Sequence, residues 1–181
     1  MKVRVISGSV KGKRLKEPSD NSIRPTTDKV KESIFNIIQF DIEGRRVLDL
    51  FAGTGQLGIE CLSRGAKSVT FVDKSREAVS IVKQNLDSCG FTGKIVCGDS
   101  IDYLRRGERF DIILLDPPYM TDLMNNALEI INSVDILTEG GIIICESARE
   151  KQLAPVFPPY YVMKEYNYGK VKLTTISKES E

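Results

Sequence analysis

The sequence predicts an α/β fold: an open, mostly parallel, seven-stranded sheet with helices on both faces, a C-terminal antiparallel hairpin and a small N-terminal β-hairpin. Two observations support this prediction. From Arg46 onward, short and nearly continuous apolar runs alternate with segments of helical periodicity, which is typical of a parallel sheet buried on both faces. Late in the chain, two strand-like segments flank Asn167-Tyr168-Gly169, a sequence that favours a tight antiparallel turn.

The individual elements follow from local periodicity and from turn residues. Residues 3–16 alternate and are interrupted by two glycines, which predicts the N-terminal hairpin, and helical spacing predicts an amphipathic helix over 26–40. The five strands of the parallel part are expected at 47–51, 68–72, 94–97, 110–115 and 141–145. Helices are expected at 56–63, 76–88, 101–105 and 123–132, and the closing hairpin at 160–166 and 170–177. We expect one compact unit, with a basic extension over 1–25 before the main domain over 26–181.

The composition excludes several classes of protein. A chain of 181 residues can bury a sizeable core without metals or disulfides. Histidine is absent, which excludes Ser-His-Asp and Cys-His catalysis and every His-based metal site, and we expect no bound metal. No apolar run is long enough for a membrane span and no signal-like segment opens the chain, so we expect a cytoplasmic protein that does not contact membranes. Buried, reduced thiols are expected for all four cysteines, Cys61, Cys89, Cys97 and Cys145.

Positive charge is concentrated near the start of the chain, although the net charge is only +1. The basic residues of the predicted hairpin are Arg4, Lys11, Lys13, Arg14 and Lys16. A cluster of this kind suits a phosphate backbone, but a solvated surface has the same composition. The charge pattern alone leaves both interpretations open.

The first strand of the sheet leads into a glycine-rich turn and a helix. Gly53, Gly55 and Gly58 permit unusual backbone dihedrals and close approach of a ligand. Their spacing also fits a dinucleotide fingerprint or a purely structural turn. Asp49, just before the glycines, would repel a pyrophosphate and suits an ammonium group, which favours S-adenosylmethionine. The expected cofactor-binding residues of this segment are Asp49, Phe51, Ala52, Gly53, Thr54 and Gly55.

Acids also follow the next two strands. Asp73, followed by Lys74, is where a ribose-binding carboxylate belongs in such folds, and it can accept hydrogen bonds from both ribose hydroxyls. Asp99, followed by Ser100, is in position to accept from an adenine amino group. For both acids, capping of the following helix is the alternative.

The fourth strand ends in Asp116-Pro117-Pro118-Tyr119. Methylation of a base amine requires hydrogen-bond acceptors aimed at its N–H bonds, because the nitrogen lone pair is delocalised into the ring. The Asp116 carboxylate and the Pro117 carbonyl can be these acceptors, and the prolines hold the loop stiffly. Tyr119 provides a ring on which the base can stack. We therefore predict these four residues to be catalytic, and a structural loop exit is the alternative.

With these motifs, the chain resembles the class I S-adenosylmethionine-dependent methyltransferases, and within them the RsmD-like methyltransferases of guanine N2 in 16S ribosomal RNA. The resemblance covers nearly the whole chain. Further segments that resemble the family are Arg4-Val5-Ile6-Ser7-Gly8, Lys11-Gly12-Lys13-Arg14-Leu15 and the segment from Arg24-Pro25-Thr26-Thr27 to Glu32. One departure is Val171, where such proteins have threonine.

The resemblance implies a Rossmann-like domain that binds S-adenosylmethionine and modifies ribosomal RNA within a small-subunit assembly intermediate. It implies that Arg24 and Thr26 lie near the cofactor, and that Arg24 and Thr27 contact RNA together with the basic hairpin. Adenine-N6 methylation of DNA or RNA is the main alternative, because those enzymes also carry Asp-Pro-Pro-Tyr. A non-catalytic nucleotide-binding assembly factor and an NAD oxidoreductase are the others.

Overall fold

The computed structural model of the chain describes residues 3–18 and 28–179 and confirms the predicted fold class. The strands are β1 (Arg46–Asp49), β2 (Ser68–Asp73), β3 (Lys94–Cys97), β4 (Phe110–Leu115), β5 (Leu137–Ala148), β6 (Tyr160–Tyr168) and β7 (Val171–Lys178). The helices are α1 (Asp28–Ile37), α2 (Gln56–Ser63), α3 (Arg76–Cys89), α4 (Ser100–Leu104) and α5 (Leu123–Val134). No helix within 3–18 and 28–179 has the length and apolar character that a membrane span requires.

All seven strands form one sheet in the order β3-β2-β1-β4-β5-β7-β6. The first five in this order are parallel, and β7 is antiparallel to both of its neighbours. The chain builds outward from β1 to β3 and then returns to β4 on the other side of β1. The order of the sheet therefore reverses between β1 and β4, and open α/β sheets bind their ligands at the carboxyl ends of the strands beside such a point.

Hydrophobic side chains fill both faces of the sheet. Successive residues of a strand point to opposite faces, so Val47 belongs to one hydrophobic cluster and Leu48 to the other. The first cluster includes apolar residues of the N-terminal hairpin, α1, α2 and α3, and the second includes those of α4 and α5. The carboxyl-terminal ends of the strands are therefore supported by hydrophobic cores on both faces of the sheet.

The main chain of the N-terminal hairpin is bonded to a buried ion pair between α1 and α2. Glu60 in α2 accepts hydrogen bonds from the main-chain N–H groups of Ile6 and Ser7 at 2.7 and 2.9 Å. Its partner Lys31 lies 3.8 Å away, also with no exposed side-chain surface, and donates to the carbonyl of Arg4 at 2.6 Å. Burial lowers the pKa of Lys31, and the Glu60 carboxylate offsets part of that change. A domain boundary after residue 25 stays a prediction, because residues 19–27 lie outside the described residues.

Most predicted elements agree with the structure to within one to three residues at each end. The strand expected at 141–145 is longer and spans Leu137–Ala148, because it continues past Gly140 and Gly141, where the apolar run is interrupted. The strand expected at 47–51 ends at Asp49, since the following residues turn into the glycine loop. The helix expected over 26–40 ends at Ile37, and the exposed Phe40 lies in the turn that follows.

The expectation that every cysteine is buried is wrong for Cys97, which is exposed. Cys97 ends β3, and β3 lies at one edge of the sheet, so its outer side is not covered by a further strand. The other three cysteines are buried, and all four are free thiols. Burial raises the pKa of Cys145 to about 12, which makes this thiol unreactive near neutral pH.

Candidate active site

Five carboxylates lie in a row across the sheet, at the carboxyl-terminal ends of five neighbouring strands. Asp49 and Asp73 are the last residues of β1 and β2, and Asp99 lies two residues beyond the end of β3. Asp116 directly follows β4, and the register of β4 and β5 places it level with Glu146. The order of the sheet makes these five acids a continuous row. Such a row attracts cations and hydrogen-bond donors to the carboxyl-terminal end of the sheet.

The glycine loop between β1 and α2 is bonded to the row of acids. Gly53 and Gly55 have φ angles of +54° and +78°, a region that other residues rarely adopt. The N–H of Gly53 donates to Oδ2 of Asp73 at 2.9 Å. At Gly58 a Cβ atom would lie 2.3 Å from the ring of Phe71, so this glycine allows α2 to pack closely on β2. The spacing of the three glycines thus serves both the loop and the helix packing.

Asp49 is a buried carboxyl group, 2% exposed, beneath this loop. Burial raises the pKa of Asp49 to about 7; the hydrogen bond from the N–H of Gly58 at 3.0 Å opposes this change, and the nearby carboxylates of Asp116 and Asp73 add to it. An ionised Asp49 is therefore costly unless a cation approaches. This environment fits a ligand with an ammonium group.

Asp73 and Asp99 use their carboxylates in different ways. Asp73 accepts from Gly53 through one oxygen and from the N–H of Ser75 through the other, at 2.8 Å. The alternative in which Asp73 caps the following helix is wrong, because Ser75 is the N-cap of α3. Asp99 is the N-cap of α4 and accepts from two main-chain N–H groups of that helix, so its capping role is confirmed. Ser100 begins α4 and is buried, and Lys74 is exposed beside Asp73.

Hydrogen bonds hold the Asp-Pro-Pro-Tyr loop at several points. The hydroxyl of Tyr119 donates to Oε1 of Glu146 at 2.8 Å. Thr121 donates through Oγ1 to the carbonyl of Pro118 at 2.7 Å, and Lys151 donates to the carbonyl of Thr121 at 2.6 Å. Contacts within the chain therefore fix the shape of this loop, as a site that acts by positioning requires.

Three residues that sequence reasoning missed support the site. Glu146 and Lys151 hold the Asp-Pro-Pro-Tyr loop through the hydrogen bonds given above. Asn85 in α3 is 1% exposed, and its Nδ2 donates to the carbonyl of Thr54 in the glycine loop at 2.9 Å. Its Oδ1 accepts from the N–H of Lys16 at 2.7 Å. The sequence carried a signal for Asn85, since it is a polar residue on the apolar face of α3, and another for Glu146, since it is an acid after an apolar run.

The five basic residues of the hairpin are all exposed: Arg4, Lys11, Lys13, Arg14 and Lys16. The turn of the hairpin lies against the end of α2, where the N–H of Ser9 donates to the carbonyl of Ser63 at 2.8 Å. Lys16 lies near the other end of that helix, close to the glycine loop. The structure thus brings Lys16 nearest to the site and places the turn farther away. The predicted site residues Arg24, Thr26 and Thr27 lie outside the described residues.

The reversed sheet order, the glycine loop after β1 and the Asp-Pro-Pro-Tyr loop after β4 define the Rossmann-like methyltransferase class. The chain belongs to the family described as Conserved hypothetical protein 95, which matches residues 3–177. This membership and the relatives below confirm the resemblance inferred from the motifs.

The chain is similar to named bacterial proteins and to a solved structure. YlbH of Bacillus subtilis, named provisionally as an rRNA methyltransferase, is 42% identical over 173 residues, covering 92% of this chain and 94% of that protein. Ribosomal RNA small subunit methyltransferase D of Haemophilus influenzae is 33% identical over 157 residues, covering 83% of this chain and 81% of that protein. The structure of yhhF from Escherichia coli, titled provisionally as a methyltransferase, is similar with a TM-score of 0.91, 27% identity and full coverage of both chains.

Proposed function

We propose that this protein transfers a methyl group from S-adenosylmethionine to the exocyclic N2 amine of a guanine in small-subunit ribosomal RNA. The observation that carries the proposal is the position of Asp116-Pro117-Pro118-Tyr119. This loop follows β4, next to β1 and its glycine loop, so a base held by one loop meets a cofactor held by the other. The names of the two relatives support methylation of ribosomal RNA, and one of them names the small subunit.

The chain's own residues orient the amine and stabilise the charge that develops on it. The Asp116 carboxylate and the Pro117 carbonyl accept hydrogen bonds from the two N–H bonds, which favours a pyramidal nitrogen with an available lone pair. The cofactor supplies an activated methyl group and its own leaving group. No histidine base is needed, because a proton lost from the methylated nitrogen passes to water. The ring of Tyr119, fixed by Glu146, stacks on the guanine.

The cofactor residues divide according to the three parts of S-adenosylmethionine. Asp49, whose pKa is raised, would accept hydrogen bonds from the methionine ammonium, and Asp73 and Lys74 would bind the ribose. Asp99 and Ser100 lie at the adenine. The main chain of Phe51, Ala52, Gly53, Thr54 and Gly55 would hold the methionine part; Arg24 and Thr26, which lie outside the described residues, stay predicted cofactor contacts.

RNA binds through phosphate contacts and through the target base. Arg4, Lys11, Lys13, Arg14 and Lys16, with Arg24 and Thr27, contact the backbone, and Lys16 does so nearest to the reacting base. The substrate is an exposed hairpin of the RNA within a small-subunit assembly intermediate in the cytoplasm. Single-stranded or splayed bases suit recognition by stacking and edge contacts. The extension 1–25 is the RNA-binding part of the chain.

The deciding experiment supplies S-adenosylmethionine with a labelled methyl group to small subunits or small-subunit RNA that lack the modification. Digestion to nucleosides is expected to give labelled N2-methylguanosine, and Asp116→Ala is the inactive control. Labelled N6-methyladenosine would instead favour adenine-N6 methylation, because those enzymes also carry the Asp-Pro-Pro-Tyr motif. No label with either substrate, although the cofactor binds, would favour a non-catalytic assembly factor.

A further inference from the structure

Met120 follows the last residue of the catalytic motif and is 98% exposed. Large apolar side chains are ordinarily at least partly covered, and a methionine in water gains nothing from dispersion or burial. A single exposed apolar residue is common on protein surfaces and needs no explanation by itself. The position of Met120 and the fixation of its loop distinguish it from such cases.

The residues on both sides of Met120 are held by hydrogen bonds. Before it, Tyr119 is bonded to Glu146 at 2.8 Å. After it, Thr121 donates to Pro118 at 2.7 Å and accepts from Lys151 at 2.6 Å. The main chain of Met120 is thus held in place, while its side chain points away from the core. Because the main chain of this loop is already fixed, covering Met120 with a ligand costs the entropy of its side chain but little main-chain entropy.

Lys151 adds positive charge to the same rim of the site. Its ammonium group donates to the carbonyl of Thr121, and no carboxylate forms an ion pair with it in the part of the chain described by the structure. An ammonium group has three N–H donors, and the Thr121 carbonyl uses one of them, so Lys151 can also donate to a phosphate. An apolar tip beside an available cation suits a nucleic-acid strand, whose bases and phosphates alternate in the same way.

We propose that Met120 inserts beside the bases next to the target guanine and occupies the space that the guanine leaves when it enters the site. This inference rests on the proposed function and adds a residue that recognises the RNA strand. A base inside a stack cannot reach Asp116, so the enzyme must take it out of the stack, and apolar wedges such as Met stabilise the gap that remains. Lys151 holds the loop and contacts the adjacent phosphate.

The test compares Met120→Ala with Phe40→Ala in the full chain. Phe40 is the matched control: it is 91% exposed, but it lies in the turn before β1, towards the amino ends of the strands. We expect Met120→Ala to raise the KM for RNA on the order of tenfold, the effect of losing one buried apolar side chain. Its affinity for S-adenosylmethionine and its thermal midpoint should equal those of the wild type. Met120→Leu should restore most of the loss, and Phe40→Ala should change nothing.

A second readout follows the opening of the stack directly. The RNA carries 2-aminopurine next to the target guanine, and its fluorescence should rise when the wild-type protein binds and rise much less with Met120→Ala. If the wild type methylates the RNA and Met120→Ala has the same KM and the same fluorescence change, the wedge is wrong and the proposed function stands. If the wild type methylates no guanine at N2, the proposed function is wrong and the wedge with it.

Discussion

The side-chain amide of Asn85 donates a hydrogen bond to the main-chain carbonyl of Thr54 at 2.9 Å. The same amide also donates to the carbonyl of Lys16 at 3.1 Å and accepts from its N–H at 2.7 Å. One buried residue of α3 thus satisfies the main chain of both the basic hairpin and the glycine loop. Asn85 therefore links the hairpin that we propose to bind RNA with the glycine loop that we propose to bind the cofactor.

Replacement of Asn85 should therefore affect both segments. Asn85→Ala leaves buried main-chain groups without partners, and we expect it to lower the free energy of unfolding by about 2–3 kcal/mol and to weaken cofactor binding. Chemical denaturation and calorimetry measure the two effects. Gln84→Ala is the control, because Gln84 makes only exposed hydrogen bonds, to the ammonium of Lys16 and to Ser80, and its loss should change stability by less than about 0.5 kcal/mol. Equal cofactor affinity in a folded Asn85→Ala protein would contradict the link.

Asp116 should be required for turnover and not for cofactor binding. Loss of one pre-aligned electrostatic partner raises a reaction barrier by about 2.7–4 kcal/mol, so Asp116→Ala should be slower by about a hundredfold to a thousandfold. Asp116→Asn should lose less, because its amide oxygen still accepts one hydrogen bond. Single-turnover methyl transfer and thermal unfolding on the same preparations test this. A stable Asp116→Ala protein with the wild-type rate would remove Asp116 from the mechanism.

The raised pKa of Asp49 predicts opposite pH effects on stability and on cofactor affinity. The pKa of Asp49 is about 7 in the folded chain and about 3.9 in an unfolded chain. The protonated carboxyl group therefore stabilises the fold fully below about pH 4, and this stabilisation is lost as the pH rises to 7. Binding of an ammonium group needs the ionised form. We therefore expect cofactor affinity to fall by up to about tenfold per unit as pH drops below 7.

Calorimetry between about pH 5.5 and 7 measures this dependence cleanly. The chain has no histidine, so the group that usually titrates in this range is absent. Asp49→Asn is the matched control, since it keeps the shape of the side chain and cannot ionise. It should bind the cofactor more weakly at pH 7 and show a flat profile. The same slope in the wild type and in Asp49→Asn would assign the titration to another group.

The basic hairpin should contribute to RNA affinity through phosphate contacts. Lys13→Glu should weaken RNA binding and reduce the slope of log affinity against log salt by about 0.7–0.9, the effect of one lost phosphate contact. Lys67→Glu is the control, because Lys67 is also exposed but lies just before β2, towards the amino ends of the strands. Cofactor affinity should be the same in both variants. Identical salt slopes for the two would place the RNA surface elsewhere.

Local pattern was sufficient to predict many elements and the two loops of the site. The strands at 94–97 and 110–115 and the helix at 56–63 agree with the structure at both ends, because apolar runs and turn residues mark their limits directly. The partners of the site residues were not predictable in this way. Glu146 meets Tyr119 only because β5 pairs with β4 in one register, and Cys97 is exposed only because β3 lies at an edge. Both facts depend on the order of strands, which local sequence does not encode.

The place of β7 in the sheet bears on how the chain is made. β7 is synthesised after both β5 and β6, yet it lies between them. It pairs with β5 from Ile142 to Ala148, along the same stretch of β5 that carries Glu146. During synthesis, the side of β5 that pairs with β7 therefore stays unpaired, and β6 has no neighbouring strand, until β7 has emerged from the ribosome. The sheet is therefore completed late in translation, and a nascent chain that stalls after β6 would expose unpaired strand edges to chaperones and proteases.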